Sequence, residues 1–545
     1  MTWPLTHHLG SDIGEDTGDP LFQAWQVAWV GHGVLHQPLH LFQSNIFWPL
    51  SDSLAFSDAL VGYAPAGLLA QRGPHAALVV YNVLFLFAYT VAFVGAYLLA
   101  RELGAGKFGG VVVGAAFAYA PWRLGQNGHL QVISSGGIPL ALFLLVRGYR
   151  RRSTPLVLGG WLVAGWQMTL GFTLGLQLAY LLAALCLIAV VFWLKRARPP
   201  LDRRLVCVTA IGVCFFALLT AMQALPYLRV IHAHPEAQRS PAQVASFSPP
   251  LSGFVAAPHE SFTWADATAS VRDSHILGPE QTLFPGATIL VLALIGLFGS
   301  VYSRRLRIGL GLGVAACAIL SLGIRDVSGP AKYLTPYRLL YDFAPGWDGV
   351  RTPGRINTLT SLGLALLAGA GACLVLDQSR RLVRSPNPTL KRAAGAGTAL
   401  VLVGAILVEG VGPLPLASVP PLPPGQQSAA APQLQLPLSF DKGSRYAYWS
   451  IAGFPAIVNG YGAFEPTTLT QLETTLANFP DAASVTALRQ LGVRTVLLHP
   501  GPATGTVWQD AANRPISGLP LTRSTTGGVI VYHLAPSLST TTPSK

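Results

Sequence analysis

AALVVYNVLFLFAYTVAFVGAYLLA, residues 76–100, is an apolar run that contains no charged side chain. A helix of about 20 apolar residues crosses a hydrocarbon core about 30 Å thick. Comparable runs recur through the first three quarters of the chain, which is 51% hydrophobic and only 11% charged. Soluble domains carry about 25% charged residues. The sequence therefore predicts a mainly α-helical, polytopic transmembrane bundle.

The apolar runs predict ten membrane spans within a transmembrane region at 76–412. The fourth and fifth spans form one continuous run, which we divide at TLGFTLG (169–175) because glycine permits a tight turn there. The predicted spans are 76–100, 108–122, 130–148, 155–171, 172–194, 203–226, 284–302, 307–324, 356–377 and 393–412.

Short arginine-rich loops alternate with loops that hold the histidines and most of the acids. Because such loops favour the cytoplasm, we place the opposite loops outside the cell. The arginine-rich loops are at 101–107, 147–152, 195–204, 303–307 and 379–392. The outer side then holds residues 1–75, the loops 227–283 and 325–355, and everything after 412. The sequence thus predicts a multi-pass protein of the inner or plasma membrane, with its polar chemistry facing outward.

The net charge of +13 lies in these scattered loops, so it does not indicate a nucleic-acid partner. The five cysteines all fall within apolar runs, where they are typical of small buried residues. An outward N-terminal segment needs a preceding span or a signal, and MTWPLTHHLG (1–10) provides neither. We expect a further span upstream of Met1, with spontaneous translocation of a short N-terminal tail as the alternative.

The C-terminal segment has a different composition. Residues 413–437 are proline-rich and predict an extended, semi-rigid linker. Residues 438–545 predict a small extracytoplasmic α/β domain, because 481–492 has a helical pattern and 493–500 and 527–534 have strand patterns. The last ten residues, rich in Ser and Thr, predict disorder.

Four acids crowd the segment SDIGEDTGDP, residues 11–20: Asp12, Glu15, Asp16 and Asp19. Asp19 is suited to the N-cap of the helix that follows, with Pro20 in its first turn. That helix carries Trp25 and Trp29 four residues apart, so we predict an amphipathic helix on the outer membrane surface. A cap does not account for the other three acids. Solvated loop charges are the alternative.

Most of the chain resembles the GT-C class of multispanning glycosyltransferases, and in particular a group of poorly characterised bacterial members. The stretches that carry this resemblance are distinctive for the group but not for a substrate. They are TWPLTHHLG…GDPLFQAWQVAW (2–29), NIFWPLSDSLAFSD (45–58), GHLQVISSGGIPLALFLLVR (128–147), PEQTLFPGATILVLALIGL (279–297), PYRLLYDFAPGWDGVRTPGR (336–355), IVNGYGAFEP (457–466) and LRQLGVRTVLLHPG (488–501).

The resemblance implies a sugar donor linked to polyprenyl phosphate, an envelope glycan, lipid or protein as acceptor, and an acid in the first outer loop. Asp19 is the best match to that acid and Asp16 the second. A carboxylate there would deprotonate or orient the acceptor hydroxyl. Several acids could also hold a divalent cation, Mg²⁺ or Mn²⁺, with Asp16, Asp19 and, more weakly, Glu280 as ligands. The sequence lacks the commonest acidic pattern of the class, so the choice between the two aspartates stays open.

A phosphate leaving group needs cations on the outer side, since guanidinium groups bind phosphate oxygens in bidentate fashion. Arg351 and Arg355 lie four apart before the ninth span, and Arg123 and His129 flank LGQNG (124–128). Interfacial snorkelling is the alternative for each arginine and is favoured for Arg123. For Glu280, a solvated acid at the interface is the alternative to a metal ligand.

No phosphate-binding glycine loop, cysteine metal motif or Ser-His-Asp signature is present in the sequence, so a nucleotide-sugar donor is disfavoured. His32 and His36, four apart, form a weak candidate metal pair that lacks a third ligand. A transporter or flippase for lipid-linked glycans and a non-catalytic scaffold are the rival functions. Transporters carry ionisable residues within their spans, whereas the polar residues here are chiefly Gln167, Gln177 and Gln223.

Overall fold

The computed structural model describes residues 2–195, 202–276, 278–299, 301–325, 333–384 and 387–536. The helices in chain order are α1 (Asp19–His36), α2 (Ala64–Gly67), α3 (Pro74–Leu103), α4 (Gly106–Ala118), α5 (Leu130–Ile133), α6 (Gly137–Arg151), α7 (Thr154–Leu170), α8 (Phe172–Lys195), α9 (Arg203–Ala233), α10 (Pro241–Ser246), α11 (Ala269–His275), α12 (Ala287–Phe298), α13 (Arg304–Ser321), α14 (Tyr337–Phe343), α15 (Asn357–Leu382), α16 (Pro388–Glu409), α17 (Gly443–Ser450), α18 (Thr467–Thr475), α19 (Ala482–Gln490) and α20 (Pro500–Ala503). The strands are β1 (Asp12–Gly14), β2 (Leu416–Ser418), β3 (Gln433–Leu436), β4 (Thr495–Leu498), β5 (Leu521–Thr526) and β6 (Val529–Leu534).

The chain divides into two compact units. The helical unit comprises Met1–Thr6, Leu84–Gln223 and Arg239–Pro415. The mixed unit comprises His7–Val83, Ala224–Gln238 and Leu416–Lys545. The predicted division at 75/76, 412/413 and 437/438 therefore differs from the observed one, because the N-terminal and C-terminal segments belong to a single unit.

Six of the ten predicted spans are confirmed as helices long and apolar enough to cross a membrane. They are Pro74–Leu103, Leu130–Arg151, Phe172–Lys195, Arg203–Ala233, Pro353–Leu382 and Pro388–Glu409. The other four predicted spans fold as α4, α7, α12 and α13, and of these α4 and α12 are short apolar helices of 13 and 12 residues. Six helices thus meet the length and hydropathy of a full span within the described residues, and the count of ten stays a prediction.

The predicted break in the long apolar run is confirmed. α7 ends at Leu170 and α8 begins at Phe172, with Gly171 between them in an extended conformation. A Cβ atom at Gly171 would lie 3.1 Å from Cβ of Gln131, so close packing rather than a left-handed backbone favours glycine there.

Helix α15 is central to the helical unit and packs against α4, α12, α13 and α16. A Cβ atom on Gly296 of α12 would overlap the carbonyl oxygen of Leu367, and one on Gly371 of α15 would overlap that of Leu292. Small residues thus let the two helices approach closely, as in other membrane proteins.

The N-terminus of α12 is capped by the last residue of α16. One carboxylate oxygen of Glu409 accepts hydrogen bonds from the backbone N–H of Thr288 at 2.9 Å and from its hydroxyl at 2.5 Å. A carboxylate is favoured there, because helix N-termini present unpaired N–H groups and positive dipole.

Helix α9 presents apolar side chains outward along its length. Ile211, Leu218 and Met222 are each about 60% exposed, at 61%, 64% and 60%. Such a surface suits lipid and not water. The described helices therefore confirm a multi-pass membrane protein.

The mixed unit holds a four-stranded sheet in the order β3-β4-β6-β5, in which only the β3–β4 pair is parallel. The predicted helix at 481–492 appears as α19, followed by Gly492 in a left-handed conformation at φ 77. Glycine is favoured there because it has no Cβ to clash. The predicted strands at 493–500 and 527–534 appear as β4 and β6.

The prediction of an extended linker at 413–437 is wrong. Its β2 pairs with β1, and all four residues of its β3 are buried in the sheet. Backbone pairing on both strands makes this segment part of the mixed unit and not a free spacer. Of the ten C-terminal residues expected to be disordered, 537–545 lie outside the described residues.

The prediction that α1 is an amphipathic helix on the membrane surface is also wrong. α1 is buried on every side from Pro20 to Gly31, with Trp25 0% and Trp29 4% exposed. The indole N–H of Trp25 donates to Asn45 Oδ1 at 3.1 Å. Gln23 and Gln26, away from the tryptophan face, are buried as well, at 3% and 1% exposed. A helix buried on all its faces is a core helix and not a surface helix.

Candidate functional site

The acidic segment starts on β1, where Asp12 has a structural role. Its carboxylate lies 3.0 Å from His8 Nδ1 and accepts a hydrogen bond from the Ser418 hydroxyl at 2.9 Å. Ser418 belongs to β2, so Asp12 helps hold the two-stranded pair together. This acid needs no catalytic explanation.

After β1 the chain turns sharply into α1. Glu15 has a left-handed backbone at φ 71, and Asp16 Oδ1 accepts a hydrogen bond from the Gly18 N–H at 2.7 Å. Gly18 occupies the N-cap position, and Asp19 is the first helical residue. The prediction of Asp19 as the N-cap is therefore off by one residue, and its carboxylate lies in the first turn, where the helix dipole favours negative charge.

The carboxylate of Asp19 meets a tyrosine from the far end of the chain. The Tyr461 hydroxyl donates to Asp19 Oδ1 at 2.8 Å. Burial of this phenol, together with the nearby charges of Asp19 and Asp16, raises the pKa of Tyr461, so it stays protonated as a donor. Asp19 is half-buried and Asp16 is exposed. Both predicted acids therefore lie within electrostatic reach of the Tyr461 hydroxyl, and each carboxylate could accept a proton.

In the helical unit, Glu280 lies beside two of the predicted phosphate-binding side chains. Arg355 Nη2 lies 2.5 Å from Glu280 Oε1, and His129 Nε2 lies 3.8 Å from the same oxygen. Burial alone would raise the pKa of Glu280, but Arg355 and His129, aided by Arg351, hold it below its ordinary value. Glu280 is therefore an ionised partner of cations and not the solvated acid or metal ligand of the sequence analysis.

Arg351 lies over the ring of Phe247, with its guanidinium carbon 4.7 Å from the ring centroid. Arg239 is a second arginine in its electrostatic reach. Burial and the positive charge of Arg351 together lower the pKa of Arg239 to about 10. Two guanidinium groups held near each other form a positive surface suited to an anion.

Arg123 lies in the interior and is 1% exposed. It donates to the Ser135 hydroxyl at 3.0 Å and to the Ile133 carbonyl at 2.8 Å, and its guanidinium carbon lies 5.5 Å from the ring centroid of Tyr89. Such burial fits neither interfacial snorkelling nor a phosphate ligand open to the membrane surface. We assign it a structural role.

The predicted metal ligands do not form a coordination group. Across the described ranges, no three His, Cys, Asp or Glu side chains lie together in a way that could hold a metal ion. Asp16 accepts from Gly18, Asp19 from Tyr461, and Glu280 from Arg355. The His32 and His36 rings stack on each other at 4.2 Å between centroids. The divalent cation stays a prediction.

Sequence reasoning missed Tyr461 and Arg239. Tyr461 lies in IVNGYGAFEP (457–466), whose glycines on both sides of an aromatic residue mark a tightly packed turn. Its partner Asp19 is 442 residues away in sequence, and no local pattern joins the two.

No protein-family model matches this chain, and no curated protein sequence matches it. Among solved structures, it is similar to the arabinofuranosyltransferase AftD from mycobacteria, with a TM-score of 0.54, 16% identity and coverage of 96% of this chain and 38% of AftD. The chain thus spans well under half the length of AftD.

Two further structures align at lower scores. ArnT from Cupriavidus metallidurans bound to undecaprenyl phosphate has a TM-score of 0.46, 12% identity and coverage of 98% of this chain and 97% of ArnT. The oligosaccharyltransferase from Archaeoglobus fulgidus has a TM-score of 0.42, 15% identity and coverage of 91% and 65%. The likeness to AftD confirms the predicted GT-C-like fold.

Proposed function

We propose that this GT-C-like membrane protein is a glycosyltransferase that moves a sugar from a polyprenyl-phosphate-linked donor to a hydroxyl of an envelope glycan, lipid or protein. The observation that carries the proposal is the half-buried Asp19 carboxylate at the start of α1, in a fold shared with AftD. AftD is named an arabinofuranosyltransferase, which supports glycosyl transfer as the reaction class.

In the proposed step, the acceptor oxygen forms a bond to the anomeric carbon as the bond from that carbon to the donor phosphate oxygen breaks. The acceptor proton passes to the Asp19 carboxylate, and the electron pair of the broken bond leaves with polyprenyl phosphate. Positive charge develops at the anomeric carbon, so a carboxylate base suits the transition state. Asp16, in the same acidic segment, is the second candidate base.

The helical unit holds the arginines to which we assign binding of the donor phosphate. Arg351, braced on Phe247, and Arg239 are the groups that we assign to the phosphate oxygens. Arg355 contributes positive charge but shares it with Glu280, and His129 Nε2 lies 3.8 Å from the same carboxylate. The apolar outer face of α9 provides a surface suited to a polyprenyl chain.

We place this chemistry on the extracytoplasmic face, because the arginine-rich loops favour the cytoplasm. Nucleotide sugars are cytoplasmic, whereas lipid-linked sugars are the donors that reach the outer leaflet. This orientation supports a lipid-linked donor.

The rival functions predict different behaviour in one experiment. The purified protein is reconstituted in vesicles with a radiolabelled polyprenyl-phosphate sugar and an envelope glycan fraction. Transfer of label to the acceptor supports the proposal. Movement of the labelled lipid across the bilayer without transfer identifies a transporter. If neither transfer nor movement occurs, the result favours a non-catalytic scaffold. Gln167 and Gln177, buried within α7 and α8, are not ionisable, which favours surface chemistry over transport.

A further inference from the structure

We propose that the NGYG turn, residues 459–462, is a positioning element for Asp19, with the Tyr461 hydroxyl as its acting group. The inference rests on the proposed function, in which Asp19 takes the acceptor proton. The turn lies in IVNGYGAFEP (457–466), which neither the predicted base nor the predicted phosphate ligands explain. All of its contacts described below lie within the mixed unit.

Asn459 fastens the turn to the sheet. Its Oδ1 accepts a hydrogen bond from the Gln435 N–H at 2.7 Å, and its Nδ2 donates to the Gln435 carbonyl at 2.9 Å. The Asn459 carbonyl in turn accepts from the Phe47 N–H at 3.1 Å. Three backbone groups from two distant segments thereby fix the position of the turn.

Close packing favours glycine on both sides of Tyr461. A Cβ atom on Gly460 would overlap the Phe47 ring, and one on Gly462 would lie 3.1 Å from the Phe56 carbonyl oxygen. The backbone on both sides of Tyr461 is therefore pressed against the segment 47–56. Any larger residue at Gly460 would displace the tyrosine between the glycines.

The Tyr461 ring is held by two other aromatic rings. It stacks on Phe440 with centroids 5.3 Å apart and meets Phe22 edge-on at 5.3 Å. Phe22 lies three residues after Asp19 on α1, so both side chains lie on one face of that helix. The ring contacts thus direct the hydroxyl at Asp19 Oδ1, and a bond to one carboxylate oxygen fixes the rotation of the group.

The charges around this pair are mainly acidic. Asp16 and Asp441 act on Tyr461, and Glu15 and Asp16 lie with Asp19 in reach of Tyr81. Neighbouring carboxylates favour protonation of Asp19, whereas the Tyr461 hydroxyl favours its charged form. Removal of that hydroxyl should therefore raise the pKa of Asp19.

The test is Tyr461→Phe, which keeps the ring contacts and removes the hydroxyl. Tyr448→Phe is the matched control, because Tyr448 donates a hydrogen bond of the same 2.8 Å length to the Pro74 carbonyl. In Tyr461→Phe we expect kcat to fall about tenfold with little change in donor KM, since a hydrogen bond to a charged group is lost. The acid limb of the pH–rate profile should move up by about one pH unit. The control should retain the wild-type profile.

A second measurement does not depend on activity. Infrared pH-difference spectra show the bands of protonated carboxyl groups. The band that is lost in Asp19→Asn belongs to Asp19, and its pH dependence reports the titration of that group. We expect this band to appear at higher pH in Tyr461→Phe than in wild type and the control. An unchanged titration, or a shifted titration with unchanged transfer, overturns the positioning role. A shifted titration in a protein without transfer activity supports the coupling of Tyr461 to Asp19 and counts against the proposed function alone.

Discussion

Arg355 and Glu280 form a buried ion pair, with 2.5 Å between Nη2 and Oε1 and only 9% and 11% of the two side chains exposed. His129 lies 3.8 Å from the same carboxylate oxygen. One carboxylate therefore lies beside two side chains that the sequence analysis assigned to phosphate binding. Loss of either partner of a buried pair leaves an unpaired charge in the protein interior.

Glu280→Gln should destabilise the helical unit by about 3–5 kcal/mol, because Arg355 then stays buried without its counter-charge. The measurement is the thermal unfolding midpoint in detergent. Asp377→Asn is the control, since the Arg380–Asp377 pair is about half exposed at 48% and 55% and such pairs are worth about 0–1 kcal/mol. Equal midpoints for the two variants would contradict a stabilising role for the buried pair.

The same pair predicts acid lability. The pKa of Glu280 is held below its ordinary 4.5, so its contribution is fully present above that pH and is lost as the pH falls through the folded-state value. In wild type, the thermal midpoint should therefore fall with acidification. Glu280→Gln should lose less of its midpoint over the same range, and parallel curves would argue against this carboxyl as a source of the acid sensitivity.

Arg351→Gln should weaken donor binding. Arg351 lies on Phe247 near Arg239. In the proposed function it binds the donor phosphate, so its loss removes one of the two assigned guanidinium groups. We expect the KM for the lipid-linked donor to rise about tenfold, since hydrogen bonds between charged groups are worth about 1.5–3 kcal/mol. Arg325→Gln is the control, because the Arg325 side chain is exposed and bonds the Pro249 carbonyl. A rise in KM in Arg325→Gln with an unchanged KM in Arg351→Gln would contradict phosphate binding by Arg351 and assign it to Arg325.

Local patterns predicted much of the architecture. The apolar runs located helices α3, α8, α9, α15 and α16 because a hydrocarbon-length helix needs only its own residues. The helix at α19 and the strands β4 and β6 were likewise predicted from periodicity and from Gly492. These elements depend on neighbours in sequence.

The parts that the sequence did not predict depend on distant partners. The pattern of apolar residues in α1 predicted a surface helix. In the structure Trp25 of this helix donates to Asn45, and Asn45 donates to the Ser450 hydroxyl, 405 residues further along the chain. Glu280 and Arg355 are 75 residues apart, and no pattern showed that they pair. A local pattern gives the chemical type of a side chain, whereas its partner is set by the fold.

The orientation of the protein can be tested by cysteine labelling in a variant without the five native cysteines. Thr525 on β5 and Arg392 near the start of α16 are both exposed. If the arginine-rich loops are cytoplasmic, an impermeant maleimide should label Thr525→Cys in intact cells. It should label Arg392→Cys only after permeabilisation. The reverse pattern would contradict both the orientation and an extracytoplasmic reaction.

The acidic segment offers a graded series of substitutions for the base itself. Asp12 bonds Ser418, Asp16 bonds the Gly18 N–H and Asp19 bonds Tyr461, so the three acids have different partners. Asparagine keeps an oxygen that can accept each of these hydrogen bonds. Each variant should therefore fold, and differences in transfer should report proton acceptance.

Asp19→Asn should reduce sugar transfer by about 10²–10⁴-fold, because an amide accepts the Tyr461 hydrogen bond but cannot take the acceptor proton. Gly18 occupies the N-cap, so the substitution should leave α1 and the unfolding midpoint near wild type. Asp16→Asn should cost less, and Asp12→Asn, whose carboxylate holds β1 to β2, serves as the control with near-normal transfer. The measurement is transfer by equal amounts of folded protein. Loss of transfer in Asp16→Asn with normal transfer in Asp19→Asn would reassign the base to Asp16, and normal transfer in all three would exclude these three aspartates as the proton acceptor.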